Sequence, residues 1–184
     1  MQLTNMPEIK LGIVGVSRDC FPASLTARRL AALAAELKKL GVNFFASSVI
    51  VENEADTIAA LEQIEDEGCN AVVAYLGNFG PETPTTILLQ EFNGPAMVVA
   101  AAEENKAVLS SERGDALCGL LNCSYNLGMR RITAYIPEYP VGLPEQLAPE
   151  IADFVKIARV VIGLANLKLV GFAPRPQDFF FFFF

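Results

Sequence analysis

Short apolar runs that recur between helix-length stretches constrain this chain more than any other feature. Residues 10–16 (KLGIVGV) form a β-branched run without alternation, the pattern of a strand buried on both faces. Residues 42–51, 70–76 and 96–101 read as three further strands, the last also buried. Between them lie stretches with helix punctuation: residues 24–40 after Pro22 and before Gly41, 54–67 closed by Gly68, and 84–92 closed by Asn93-Gly94. Strand, helix and strand at this spacing imply right-handed crossovers and a mostly parallel sheet with helices on both faces. The expected fold is a doubly wound α/β domain, Rossmann-like or flavodoxin-like.

The rest of the chain extends the pattern and then breaks it. Residues 115–127 predict a helix stopped by Gly128, residues 131–136 a fifth strand ended by Pro137, and residues 138–149 a Pro-rich loop. Residues 145–164 predict a long amphipathic helix, because Ile151, Phe154, Val155, Ala158, Val161 and Ile162 recur at helical spacing. Residues 167–172 (LKLVGF) start a sixth strand. This divides the chain into an amino-terminal α/β domain (1–144), a connecting helix (145–166) and the start of a second, truncated α/β domain (167–178). The six phenylalanines at 179–184 would be an aggregation hazard on any surface, and they read as an artefact without functional weight.

Composition narrows the function. With 52% hydrophobic residues among 184, the chain has material for a packed core. Fourteen Lys and Arg against 21 Asp and Glu give a net charge of −7, dispersed along the chain, which argues against nucleic acid as a partner. The chain contains no His, so the commonest metal ligand and the usual general base near neutral pH are missing. Cys20, Cys69, Cys118 and Cys123 have no CxxC spacing and read as reduced thiols. No signal peptide or membrane span stands out, and the expected setting is the cytoplasm, away from any membrane.

In an open parallel sheet, ligands bind beyond the carboxyl ends of the strands. The loop after the first strand, Ser17-Arg18-Asp19-Cys20-Phe21-Pro22, sets a cation, an anion and a thiol at a helix amino end, where anions and hydroxyls are favoured. An Arg18–Asp19 surface pair beside a helix cap is the plainer alternative. The loop after the third strand, residues 77–84 (GNFGPETP), stiffens Asn78 and Glu82 between two glycines and two prolines; a turn capped by Thr83 would use the same residues. Glu103 and Glu104 follow the fourth strand, as ligand groups or as a solvated acidic corner. Arg113 and Asp115 most simply cap the next helix. There is no Walker loop, and Arg18 stands where a dinucleotide fingerprint needs its third glycine.

At these same residues the sequence resembles the amino-terminal region of the L-fucose/L-arabinose isomerase family, especially its shorter fucose isomerase-like members. The resemblance rests on SRDCFP at 17–22, NFGPETP at 78–84, RGDALCGLLNCSYNLG at 113–128, AYIPEYPVG at 134–142 and GFAPRPQDF at 171–179. It implies the amino-terminal domain of an aldose–ketose isomerase that works through an enediol on a monosaccharide. The divalent metal, usually Mn2+, would be held by carboxylates and a histidine in later parts of the family's chain, so no catalytic or metal residue is expected here. The implied role is to cap a neighbouring subunit's active site in a homo-oligomer and to contribute substrate contacts, carried by Arg18, Asp19, Phe21, Asn78, Phe79 and Glu82. Two other readings stay open: a non-catalytic sugar-binding or assembly module, and a flavodoxin-like domain for a phosphorylated cofactor.

Overall fold

The computed structural model describes residues 6–104, 113–165 and 167–168. The apolar runs become strands wherever both faces can be covered: β1 (Leu11–Val16), β3 (Ala71–Leu76) and β4 (Ala96–Ala101) are buried along their whole length. β2 (Phe44–Ala46) and β5 (Val141–Gly142) flank them. The order is β2-β1-β3-β4-β5 and every pairing is parallel, the doubly wound arrangement expected.

Helices α1 (Ala23–Lys39) and α5 (Pro144–Ala165) pack together on one face of the sheet, and α2 (Glu54–Asp66), α3 (Glu82–Glu91) and α4 (Ala116–Arg130) cover the other. α1 buries Leu25, Leu30, Leu33 and Leu37 at helical spacing, and Lys38 and Lys39 in its last turn complement the helix dipole. Gly41 and Gly68 end α1 and α2 at φ +68° and +69°, backbone angles that cost glycine little. Asn53 caps α2, its side chain accepting the Asp56 N–H at 3.0 Å. α5 closes the core with Leu147, Ile151, Phe154 and Ala158, and the Phe154 ring stacks on Tyr135 at 5.9 Å.

Several expectations need correcting. The strand expected over 42–51 is ordered as β only at Phe44–Ala46, with Val51 rejoining Val16 through one bridge. Between them, Gln63 Oε1 accepts from Ser47 Oγ (2.9 Å) and from the Ser48 N–H (3.0 Å), drawing the chain out of the ladder. The strand expected over 131–136 is reduced to a bridge between Tyr135 and Met97, and the fifth strand is Val141–Gly142, inside the segment read as a loop. Pro137 and Pro140 have no N–H to donate, so a continuous ladder cannot form there. Gly128 does not stop its helix; α4 runs to Arg130 and closes at Arg131, which takes φ +57°. Nor does the Asp115 side chain cap α4, because Arg113 Nε holds both of its oxygens at 2.9 and 3.0 Å. Apart from Leu167 and Lys168, the sixth strand expected at 167–172 and the phenylalanine run lie outside the described residues, as do Asn105, Ser111 and Glu112.

Tyr75 is fully buried on β3, and its hydroxyl has no hydrogen-bond partner among the described residues. Burial pushes its pKa up, so the phenol stays protonated. A buried polar group without a partner is unfavourable. Tyr75→Phe is therefore expected to leave stability unchanged or raise it by up to about 1 kcal/mol. A loss beyond that in urea denaturation would show that the hydroxyl is bonded.

Candidate functional site

β1 and β3 are neighbours, yet their crossovers leave in opposite directions: β1 leads to α1 on one face and β3 to α3 on the other. This is the switch point of the sheet, where open α/β folds form a crevice. The two segments singled out from sequence, 17–22 and 77–84, lie here, the second passing into α3 at Glu82.

A buried polar cluster joins them. Asn78 is fully buried, and its Oδ1 accepts the backbone N–H of Arg18 at 2.8 Å and of Gly80 at 3.2 Å. Its Nδ2 donates to Ser17 Oγ at 2.8 Å, and Ser17 Oγ donates to Glu52 Oε1 at 2.9 Å. Asn78 is thus a peg between loops rather than an exposed group at the rim. Gly80 sits at φ +71° to make the turn.

Above the peg lie three half-buried groups, Arg18, Phe21 and Phe79, and the exposed Glu82. Arg18 Nη1 is 3.4 Å from Glu82 Oε1, and the guanidinium lies 4.9 Å over the Phe79 ring, within cation–π range. Phe21 stacks against Phe79 with ring centroids 6.3 Å apart and planes within 6°. Glu82, in the first turn of α3, also accepts from Asn122 Nδ2 of α4. Arg18 pairs with Glu82 and not with Asp19, which is exposed and has no hydrogen bond or ion pair among the described residues. Thr83 does not cap α3: α1 and α3 begin at Pro22 and Pro81, and neither amino end, both at this rim, has a side-chain cap.

A second cluster supports the rim from the α1 side. Arg29 has only 3% of its side chain exposed. Its Nη1 donates to the Gly77 carbonyl at 2.7 Å, its Nε to Glu104 Oε1 at 2.9 Å, and its Nη2 to Glu103 Oε2 at 3.0 Å and Glu104 Oε2 at 2.6 Å. Glu103 Oε1 accepts the N–H groups of Gly114 and Asp115 at the start of α4, at 2.9 and 3.0 Å. Hydrogen bonding to Arg29 holds the Glu104 carboxyl at about 2, far below its usual range. The two carboxylates after β4 are therefore the anchor of a buried guanidinium. Sequence reading passed over Arg29 in an Ala- and Leu-rich helix. Its position four residues from both Leu25 and Leu33 puts it on the apolar stripe of α1, where a cation needs partners.

The donors among the described residues do not fit a metal ion. The chain has no His, and no group of three His, Cys, Asp or Glu side chains among the described residues could hold one. The thiols are all free; Cys20 and Cys118 are exposed, and burial pushes the Cys123 thiol up to about 12. No helix among the described residues is long and apolar enough to cross a membrane.

Fold and rim together define a doubly wound α/β domain whose switch point carries an ion pair and two stacked aromatic rings. Residues 12–165 match the model of the fucose/sulfoquinovose isomerase N-terminal domain, and the chain belongs to that family. No curated protein matches the sequence. Among solved structures it is similar to a PurE2 variant of Treponema denticola, at 11% identity over 86% of this chain and 88% of that one, with a TM-score of 0.48.

Proposed function

We propose that this chain is the amino-terminal domain of a metal-dependent aldose–ketose isomerase acting on fucose- or arabinose-like sugars. In this reading it supplies substrate contacts and caps the active site of a neighbouring subunit in a homo-oligomer. The observation that carries the reading is the Arg18–Glu82 pair at the switch point, backed by the Phe21–Phe79 stack. A forked donor beside a carboxylate acceptor suits the paired hydroxyls of an open-chain sugar, and an aromatic wall suits its C–H face. Asp19, exposed and without a partner among the described residues, is a further acceptor at the same rim. Asn78 acts through the loops it joins, holding Arg18 and Phe79 in register. Mn2+ and the residues that hold it would come from parts of the complete protein outside this sequence, because this chain has no His and the donors among its described residues do not fit that ion.

In the complete protein, Arg18→Ala and Glu82→Ala should each weaken kcat/KM for the sugar about tenfold or more, the effect of losing a hydrogen bond to a charged group. Unchanged kinetics for both variants would sink the assignment. Calorimetry of this chain alone with pentoses and deoxyhexoses separates the alternative of a self-sufficient binding module, since micromolar binding without any partner would favour the module.

A further inference from the structure

We infer that Asn122, Asn126 and Arg130 form a one-way row of hydrogen bonds along α4 that positions Glu82 and leaves its Oε2 free to accept from a sugar hydroxyl. This deepens the substrate reading above and rests on it for the sugar alone. The three residues are spaced by four, so they stand on one face of the helix. Arg130 Nη1 donates to Asn126 Oδ1 at 2.8 Å. Asn126 Nδ2 donates to Asn122 Oδ1 at 2.9 Å and to the Asn122 carbonyl at 3.0 Å. Asn122 Nδ2 in turn donates to Glu82 Oε1 at the start of α3. The two asparagines are half-buried and the two charged ends are exposed. Beyond Asn126, the Arg130 guanidinium has no partner among the described residues.

The two ends fix the direction of the row. A guanidinium only donates and a carboxylate only accepts. Two amides between them satisfy both ends in one orientation alone, each with its oxygen towards Arg130 and its nitrogen towards Glu82. The Asn122 carbonyl holds Asn126 in that sense a second time. Bonds aligned head to tail polarise one another, so the charge of Arg130 reaches Glu82 through two neutral side chains. The oxygen they hold is the one that Arg18 approaches: Oε1 lies 3.4 Å from Arg18 Nη1, and Oε2 has no partner among the described residues. An exposed glutamate has several rotamers open to it, and fixing one costs entropy. Held from two sides through Oε1, Glu82 keeps one rotamer before any ligand arrives, with Oε2 as the spare acceptor at the rim. Asn122, Asn126 and Arg130 act through Glu82 and are positioning residues.

The side-chain amide resonances of this chain, followed by heteronuclear NMR, test the row. Arg130→Glu replaces a donor by an acceptor, so Asn126 must turn its nitrogen to residue 130 and Asn122 must turn its oxygen to Glu82, which repels it. The expected result is an upfield shift of the Asn122 amide proton that Glu82 holds in the parent. Arg130→Lys still donates and should leave that proton near its parent position. Arg131→Glu makes the same change of charge at the same helix end without a place in the row, and it too should leave Asn122 as it is. In the complete protein, Arg130→Glu should lower kcat/KM for the sugar at least about fivefold, the worth of one hydrogen bond, while Arg131→Glu stays near the parent. An Asn122 proton indifferent to Arg130→Glu would overturn the proposal. So would an equal response to Arg130→Lys or Arg131→Glu, or a loss of activity in Glu82→Ala that Arg130→Glu does not share. If the proton responds as stated while the kinetics ignore both Glu82→Ala and Arg130→Glu, the row stands and only the substrate reading falls.

Discussion

Gly119→Ala should cost at least about 2 kcal/mol in urea denaturation, at the upper end of what overpacking a core does. A Cβ built on Gly119 collides with the Phe79 carbonyl oxygen and falls 2.5 Å from its carbon. Those are backbone atoms, so no flexible side chain can swing away to relieve the clash. Either α4 lifts from the sheet or the loop carrying Phe79 retreats, and the second outcome separates Phe79 from Phe21 and Arg18. Hydrogen exchange at residues 78–80 should rise along with the loss of stability. A variant within about 0.5 kcal/mol of the parent, in the range of an ordinary surface change, would show that the helix does not sit on the loop this closely.

Arg29→Met should cost about 3 to 5 kcal/mol, the range for removing one partner of a buried ion pair. Methionine keeps the apolar stem but leaves the Gly77 carbonyl without its donor and Glu103 without its cation, while Glu103 still holds the start of α4. The same contact fixes a pH dependence. Glu104 is held at about 2 by Arg29 against an ordinary 4.5, a depressed carboxyl. Its contribution is therefore complete above about pH 4.5 and is lost as pH falls from there toward 2. Because Glu104 is half exposed, this part of the effect is screened and smaller than the loss of the buried contacts. Melting temperature followed down to about pH 2 should fall steeply for the parent and less steeply for Arg29→Met. Parallel curves would mean that Arg29 does not set the Glu104 titration.

The two loops of the rim were legible in the sequence because Pro, Gly and a run of polar residues after a buried strand have few structural uses. The partners within them were not. Sequence spacing sets Arg18 beside Asp19, but the switch point sets it beside Glu82, 64 positions away. Asn78 looked like a hydroxyl ligand because an amide in a Gly-Pro loop is chemically competent for that. Only the packing of the loop on β1 turns both ends of the amide inward, to Ser17 and the Arg18 N–H. Glu103 and Glu104 were visible as an acidic corner, but what they hold is supplied by α1, and a local reading cannot pair residues 74 and 75 positions apart.

By itself, the sequence determined the alternation of buried strands and helices, because covering a parallel sheet on both faces demands continuous apolar runs separated by helices. It also determined that the polar groups fall at the carboxyl ends of β1, β3 and β4, since loop chemistry is confined to loops. The tertiary structure decided where the fifth strand lies, because prolines deny the ladder to one candidate and the β4 edge accepts another. It decided as well which charges pair, which amide is buried, and which carboxylate α4 reaches. Those are relations between residues far apart in the chain, and they exist only once the sheet brings its loops to one rim.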